Sequence, residues 1–418
     1  MTFSKYTIHH LDLFNEVQPL RDAGHYCVFW YQSIPLGEAY MDFKDPATPL
    51  QFWEGCIRAI SPALRDFALG NEESFRLIQS LQPDLRSIRR VCEQVLADRH
   101  PRQAATCEVS VVICTRDRAP WLKTCLQYLQ SQYCAPFEII VVDNASVTDD
   151  TRAVANAFNV RYIREDRPGL DIARNTGARA ARGSIVAYTD DDTKPDRYWI
   201  CRVSETFRDP AIAAMTGLVI AASLETEAEV IFEKFWPFNR GYIAKTYDAA
   251  FFNSALSSGP PVWEIGAGAN MAFRKNIFDK VGYFDERLDV GAAGCSGDSE
   301  LWYRLLACGL SIRYNPLAVV SHSHRTSIPG LRKQLYAYMR GFTVAILIQY
   351  QRFGHRGNLQ HLGKVILYYF RLLKKGFPRY DLQYKTLFSE FRGILSGFIY
   401  FLRHRNTDPK IFSNDVLR

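Results

Sequence analysis

Three regimes of hydrophobic and polar patterning follow one another along the 418-residue chain. In residues 1–105, apolar and aromatic runs at Tyr26 to Gln32 and Glu38 to Met41 flank the Pro- and Gly-containing stretch Ser33 to Gly37. That predicts a two-stranded hairpin. Between Leu50 and Ala97 the apolar positions recur at helical spacing, and His100 to Thr106 reads as a linker. In residues 106–327 short apolar runs alternate with helical patterns. Strands are expected at Val109–Cys114, Phe137–Val142, Val160–Ile163, Ser184–Tyr188 and Ala318–Val320. Helices are expected over about 121–131, 150–158 and 170–182, and from Gly297 onward. Such alternation predicts a doubly wound α/β sheet with parallel strands, whose ligands bind at the carboxyl ends of the strands. Residues 328–418 are helical in pattern, aromatic and basic.

Composition narrows this picture. Apolar residues make up 47% and charged residues 23%, enough for a sizeable core and too little charge for a disordered chain. No run of 18 uncharged apolar residues occurs, so no transmembrane helix is expected, and Met1 to His10 does not read as a secretory signal. The ten cysteines form no CxxC pair, which predicts free, mostly buried thiols and a cytoplasmic location. His9-His10 has no chemical partner in sequence and reads as incidental. From Arg325 to the end there are 17 Lys and Arg against four Asp and Glu, whereas the preceding 324 residues carry 34 against 40. The basic tail therefore calls for its own explanation.

Polar clusters follow the expected strands. Thr115-Arg116-Asp117-Arg118 comes directly after the first. It lacks the glycines of a dinucleotide or P-loop turn, so its bulky side chains suit a base or ribose, or form a solvated loop. Asp143-Asn144-Ala145-Ser146 ends the second strand and can either accept from a nucleobase or cap a helix. Arg167 and Arg174 flank the turn Pro168-Gly169 that opens a helix, a geometry for phosphate oxygens or for surface ion pairs. Thr189-Asp190-Asp191-Asp192 ends the fourth strand. Three adjacent carboxylates at the mouth of a buried sheet repel one another unless a cation relieves them, and oxygen ligands favour Mg²⁺ or Mn²⁺. Later come Trp263 to Asn270, with glycines for close approach and an Asn suited to sugar hydroxyls, then Gly297-Asp298-Ser299-Glu300 opening a helix. There Asp298 is either an N-terminal cap or a general base. Ser321-His322-Ser323-His324 follows the last strand.

Taken in order, CTRDR, VVDNAS, RPGLDIARNTG, TDDD, GAGANMAF, GYFDERL, GDSELWYR and VVSHSH resemble the family 2 glycosyltransferases of GT-A fold, across roughly residues 108–325. The resemblance implies a GT-A nucleotide-sugar-binding mixed sheet, flanked by a small α+β N-terminal segment and a helical basic C-terminal segment. Thr115, Arg116 and Asp143 look like nucleoside contacts, and Arg174 and Asn175 resemble donor-pocket residues. Asp190 is similar to the first carboxylate of the family's DxD motif, near ribose or donor sugar. Asp192 resembles its metal ligand, with His322 as a further ligand and His324 as a fallback. Asn270 is expected to bind the substrate. Asp298 corresponds to the catalytic Asp of the family's Glu-Asp pair. Gly297 replaces the Glu, which puts acceptor binding in doubt and leaves Glu300 as a second-best base.

The resemblance thus implies a Mn²⁺- or Mg²⁺-dependent, inverting transfer from a nucleoside-diphosphate sugar to a glycan or lipid-linked acceptor. Processive synthases of the family carry a QxxRW-type motif and membrane helices, and both are missing, so single-sugar transfer is expected. A sugar-phosphate nucleotidyltransferase and an inactive sugar- or lipid-binding protein are the alternatives. The basic, aromatic runs 362–375 and 391–403 either lie on an anionic membrane at its inner face or pack on the catalytic domain. No nucleic-acid motif accompanies the charge.

Overall fold

The computed structural model describes residues 4–42, 47–101, 108–134, 137–378, 380, 382 and 384–407. The chain opens with strands β1 (Thr7–Asp12), β2 (His25–Tyr31) and β3 (Ile34–Met41), which form one sheet in that order. The connection between β2 and β3 is only Gln32-Ser33, with Gln32 at φ +54°. Ile34 to Gly37, expected as a turn, instead begins the strand. Here the pattern misled: Pro35 and Gly37 read as breakers, but Pro35 lies at a register irregularity opposite Trp30, and Gly37 lets helix α1 press onto the strand. β1 was not foreseen. It carries His9, whose Nε2 lies 3.0 Å from His25 Nδ1 on β2, so the His pair serves strand packing. Helices α1 (Pro49–Phe67), α2 (Glu72–Gln79) and α3 (Leu85–Leu96) follow; α1 starts at a Thr48/Gln51 capping box with Pro49 in its first turn. Most of the expected 100–106 linker lies outside the described residues.

The central region then runs β4 (Val109–Thr115), α4 (Ala119–Gln130), β5 (Glu138–Asn144), α5 (Asp150–Ala157), β6 (Arg161–Glu165), α6 (Leu170–Ala180) and β7 (Ile185–Thr189). After these come β8 (Thr193–Pro195), α7 (Trp199–Thr206), β9 (Ile212–Ala221), α8 (Glu227–Phe235), β10 (Lys245–Tyr247), α9 (Ala249–Ala255), β11 (Asn270–Arg274), α10 (Ile277–Val281), α11 (Gly297–Ala307) and β12 (Ser311–His322). Nine strands make one sheet in the order β10-β12-β9-β11-β7-β4-β5-β6, with β8 paired to β12. The block β6-β5-β4-β7 is parallel, as the alternation predicts. β11 runs antiparallel to both β7 and β9, so the whole is the mixed α/β sheet of the expected fold class.

The N-terminal sheet does not stand apart. Tyr26, Phe29 and Leu36 share a continuous apolar core with Leu218, Ile220 and Val319 of β9 and β12. Three helices complete the chain: α12 (Ile328–Phe353), α13 (Arg356–Gly376) and α14 (Tyr384–His404). α12 is pinned to the sheet's outer loops, where Arg340 donates to the carbonyls of Ala292 and Ala293 and Arg352 pairs with Asp285 and Glu300.

Two expectations change on this frame. Cys134 and Cys201 form a disulfide, although 67 residues separate them and no local spacing announces it. The loops bearing them are held together by Tyr133 N–H on Arg197 O (2.8 Å) and Gln132 on Asp196 O (2.7 Å). The expectation of a reducing compartment rested on wholly free thiols and loses that support. Asn270, expected to read sugar hydroxyls, is fully buried at the start of β11. It donates to the carbonyls of Leu218 (2.9 Å) and Ala318 (2.8 Å) and accepts from Trp199 Nε1 (2.9 Å). It staples β9, β12 and α7 together, with both amide hydrogens already engaged. Asn270→Ala would strand a buried indole N–H and two carbonyls, so denaturant unfolding should show a loss of about 3 kcal/mol. A sugar-reading Asn would instead weaken donor affinity and leave stability unchanged.

Candidate active site

The acidic turn follows the carboxyl end of β7. Thr189 closes the strand with its hydroxyl on the Ala269 carbonyl (3.0 Å), and Asp190 to Asp192 lead into β8. β8 pairs antiparallel with the end of β12, so Thr193 stands opposite His322, and Ser323 N–H donates to the Asp192 carbonyl (3.2 Å). This register carries a histidine across 130 positions of sequence to the carboxylates. One ligand atom each from Asp190, Asp192 and His322 falls within 4.8 Å of the others. His322 Nε2 lies 3.3 Å from Asp192 Oδ1. That Oδ1 and His322 Nδ1 are both buried and make no hydrogen bond among the described residues.

Orphaned polar atoms in such a setting are costly unless a ligand satisfies them. Burial, reinforced by Asp192, pushes Asp190 up to about 7. Burial likewise lowers His322 to about 4, leaving a neutral imidazole with a lone pair to offer. Asp192 is held below the usual carboxylate range despite its burial; with His322 neutral, Arg118 is its standing positive partner, 2.7 Å away. Two carboxylates and an imidazole with unsatisfied atoms fit a hard divalent cation such as Mn²⁺ or Mg²⁺.

Arg118 had no assigned role in the sequence reading, yet its guanidinium spans Asp191 (3.0 Å) and Asp192 (2.7 Å) and anchors the turn. Thr115, expected against the nucleoside, directs its hydroxyl to Asp191 Oδ2 (2.7 Å) and is buried. Asp191, left without a role by sequence, is therefore the turn's structural anchor, with burial raising its pKa to about 6. Asp143 also differs from expectation. It has no exposed surface and accepts from Ser146 N–H (3.1 Å), Tyr162 Oη (2.7 Å) and Arg164 (3.2 Å). Burial opposes its ionisation, but these donors outweigh it and hold the carboxyl below the ordinary range. Of the three expected nucleoside contacts, Arg116 alone is exposed, with only a loose pair to Asp117 at 3.7 Å.

A second charged cluster lies behind the turn. Arg174 is buried and donates to Asp171 (2.9 Å) and Asp289 (2.7 Å), so its guanidinium is turned to carboxylates rather than to an open phosphate pocket. Asp190 and Asp298 both lie within reach of its field. Asp298 is the second residue of α11, with Oδ1 accepting from Ser299 N–H at 2.6 Å. Burial raises its pKa, with Asp289 adding to the rise and Arg174 opposing it. A Cβ placed on Gly268 would lie 2.8 Å from Arg174 and 3.0 Å from Asp298 Oδ2, so only glycine admits both side chains there. Gly297 has an equally definite cause, because a Cβ there would overlap the Asp171 carboxylate. The carboxylate beside position 297 is thus Asp171 of α6, whose Oδ2 is buried with no hydrogen bond from the described residues.

The remaining expected residues are placed otherwise. Asn175 bonds the Phe284 backbone in both directions (3.0 and 2.9 Å), which fixes the loop before Asp289 rather than facing a donor. Glu300 is fully buried between Arg304 (2.8 Å) and Arg352 (2.5 Å) and cannot serve as a base. His324 bonds Glu233 (3.0 Å) and lies outside the triad. Arg167 pairs with Glu165 and Glu286 at the surface. Sequence reasoning missed Asp289: it stands directly after the GYFDERL motif, outside the residues singled out, and the fold brings it to Arg174.

The family model for glycosyl transferase family 2 matches residues 110–282. Glycosyltransferase AglE of Haloferax volcanii is 27% identical over 234 residues, covering 54% of this chain and 70% of that protein. A pre-mycofactocin glycosyltransferase of Mycobacterium tuberculosis is 27% identical over 225 residues, covering 53% of this chain; this chain spans 44% of its length. Among solved structures, the mannosyltransferase PcManGT of Pyrobaculum calidifontis, in complex with GDP-Man and Mn²⁺, aligns over 84% of this chain and 99% of its own at 16% identity and a TM-score of 0.47. Similarity at that level bears on neither ligand nor reaction. Residues 110–282 thus match the glycosyl transferase family 2 domain, and the chain is a glycosyltransferase.

Proposed function

We propose that this glycosyltransferase uses a divalent cation and transfers one sugar, with inversion, from a nucleoside-diphosphate sugar to an acceptor hydroxyl in glycan or glycolipid synthesis. The observation that carries the reading is the convergence of Asp190, Asp192 and His322 beside Arg174, whose field also reaches Asp298. Asp192 and His322 would hold the cation, with Asp190 completing the set toward ribose or donor sugar. When bound, a Mn²⁺ or Mg²⁺ ion stabilises the charge that develops on the departing diphosphate. Arg118 keeps the acidic turn in place, and Arg116 is the side chain free to meet the nucleoside. Asp298 accepts the proton from the attacking hydroxyl. Because one displacement suffices, no carboxylate nucleophile is required, and the anomeric configuration inverts.

Isothermal titration with Mn²⁺ tests the cation site: Asp192→Asn and His322→Gln should each weaken binding by at least about tenfold. Unchanged affinity in both would remove the triad from consideration.

The base is tested by kinetics. Asp298→Asn should lower kcat by about 10²–10⁴ while leaving donor binding in place. Asp298 works ionised and its pKa is raised, so kcat should fall as pH drops through a value above the ordinary 3.8. That acid limb should be missing from whatever activity Asp298→Asn retains.

A second reading concerns α13 and α14. Their inner residues Leu362, Tyr369, Leu387 and Ile394 are buried. On the outer face of α14, Phe388, Arg392, Leu395, Ile399 and Leu402 recur at i+3 and i+4 and are exposed, next to Lys364, Leu367, Phe370 and Lys374 on α13. The sole acid on these two helices, Glu390, is buried against Tyr369 and Thr386. A basic, apolar face free of acids suits an anionic lipid surface and a lipid-linked acceptor. Among the described residues no helix is long and apolar enough to cross a membrane. Co-sedimentation with phosphatidylglycerol vesicles should be lost in Leu395→Asp/Ile399→Asp; undiminished binding refutes this reading.

A further inference from the structure

A cavity of about 470 Å³ lies where β3 and α1 meet the stretch from the end of α8 to β10. That volume falls within the range of small-molecule sites. Its wall is built around Glu38. Three donors converge on Glu38 Oε2: the hydroxyls of Tyr26 and Tyr242 and the amide of Asn239 (2.6 Å). Oε1 carries no hydrogen bond from the described residues. Arg240 directs both terminal nitrogens to the carbonyls of Pro237 and Trp263 (2.9 Å each), while its buried Nε has no partner among the described residues. The Tyr40 hydroxyl, in the same wall, likewise bonds no described residue, and its ring packs against those of Tyr6 (4.9 Å) and Tyr26 (4.8 Å).

An unused acceptor and a free phenol beside an aromatic wall match the hydroxyls and apolar face of a sugar ring. Glu38 and Glu233 stand against Lys234, Arg240 and Lys245, so neither sign dominates the lining. The ligand chemistry is therefore a neutral polyol.

The cavity also adjoins the catalytic centre. Phe238 packs its ring 5.3 Å from that of His322, while its neighbours Asn239 and Arg240 line the cavity. On the same side Glu233 bonds His324 (3.0 Å), whose ring lies 5.4 Å from His322. A ligand in the cavity would be separated from the cation triad by the thickness of one strap.

We infer that this cavity is a subsite for a neutral sugar unit of the acceptor, remote from the hydroxyl that attacks. The inference rests on the glycosyltransferase reading for the word acceptor, but glycan binding can be measured without turnover. Saturation-transfer-difference NMR on the full chain, with a panel of neutral gluco-, manno- and N-acetylglucosamine oligosaccharides, should show binding of at least one class. Tyr40→Phe removes only a hydroxyl with no protein partner, so the fold is kept. Ala59→Trp fills the cavity from its rim. Each should weaken the bound class by about tenfold, the scale of one lost polar contact. No binding by any oligosaccharide, or binding undiminished in both cavity variants, overturns the proposal. Retained glycan binding without release of nucleoside diphosphate from any donor sugar would instead count against the proposed reaction.

Discussion

The constraint on which the site depends is the neutralisation of buried carboxylates by one buried guanidinium. Arg174 faces Asp171 and Asp289 directly and lies within the fields of Asp190 and Asp298. Desolvation penalises each of these charges, and a single cation cannot offset four anions, so Asp171, Asp190 and Asp298 all have raised pKa values. The surrounding backbone follows from that cluster. Gly268 and Gly297 are glycines because Arg174, Asp298 and Asp171 fill the volumes their side chains would need. Asn175 fixes the loop leading to Asp289, and Arg340 and Arg352 of α12 clamp the segment from 285 to 300 from outside. The C-terminal helices are thus part of the framework holding the acids.

Legibility in the sequence tracked how local the physics was. The TDDD turn after a buried β-branched strand was readable because three adjacent carboxylates at a sheet mouth are costly and must be relieved. His322 was readable only through family resemblance, since it is the β8–β12 register that brings it to Asp192. Asp289 and the Cys134–Cys201 pair were not readable, because no spacing rule encodes contacts made by loops. The amides of Asn175 and Asn270 and the hydroxyl of Thr115 were misjudged for a related reason. A polar residue at a strand end suits a ligand or the protein's own backbone equally well, and burial decides between them. In each of these cases the interior took the hydrogen bonds.

In the central region β4 to β7 with α4 to α6 were legible, as were α11 and the end of β12, because the buried parallel strands among them are short apolar runs between amphipathic helices. β8 to β11 and α7 to α10 were not foreseen. Nor was the N-terminal segment legible. β1, TIHHLD, is polar and never more than half-buried, and offers no apolar run to recognise; Pro35 and Gly37 disguised the start of β3. The core this segment shares with β9 and β12 could not be inferred from its own residues either, as it is completed by side chains nearly 200 positions away.

The replacement at position 297 bears on how Asp298, the proposed base, is tuned. A carboxylate at 297 would stand on α11 itself, next to Asp298 and inside the positive end of the helix dipole. Here the neighbouring carboxylate comes from Asp171 on α6, is tied to Arg174, and retains one oxygen with no hydrogen bond. Asp298 therefore answers to a charge pair instead of a lone acid. Any change that tightens Arg174 on Asp171 loosens its hold on Asp298 and raises the base's proton affinity. The reverse holds when Asp171 takes up a proton. The proton affinity of Asp298 is thus set at Arg174, whose field also reaches Asp190 of the acidic turn, so a change at one end of the cluster is felt at the other through a single guanidinium.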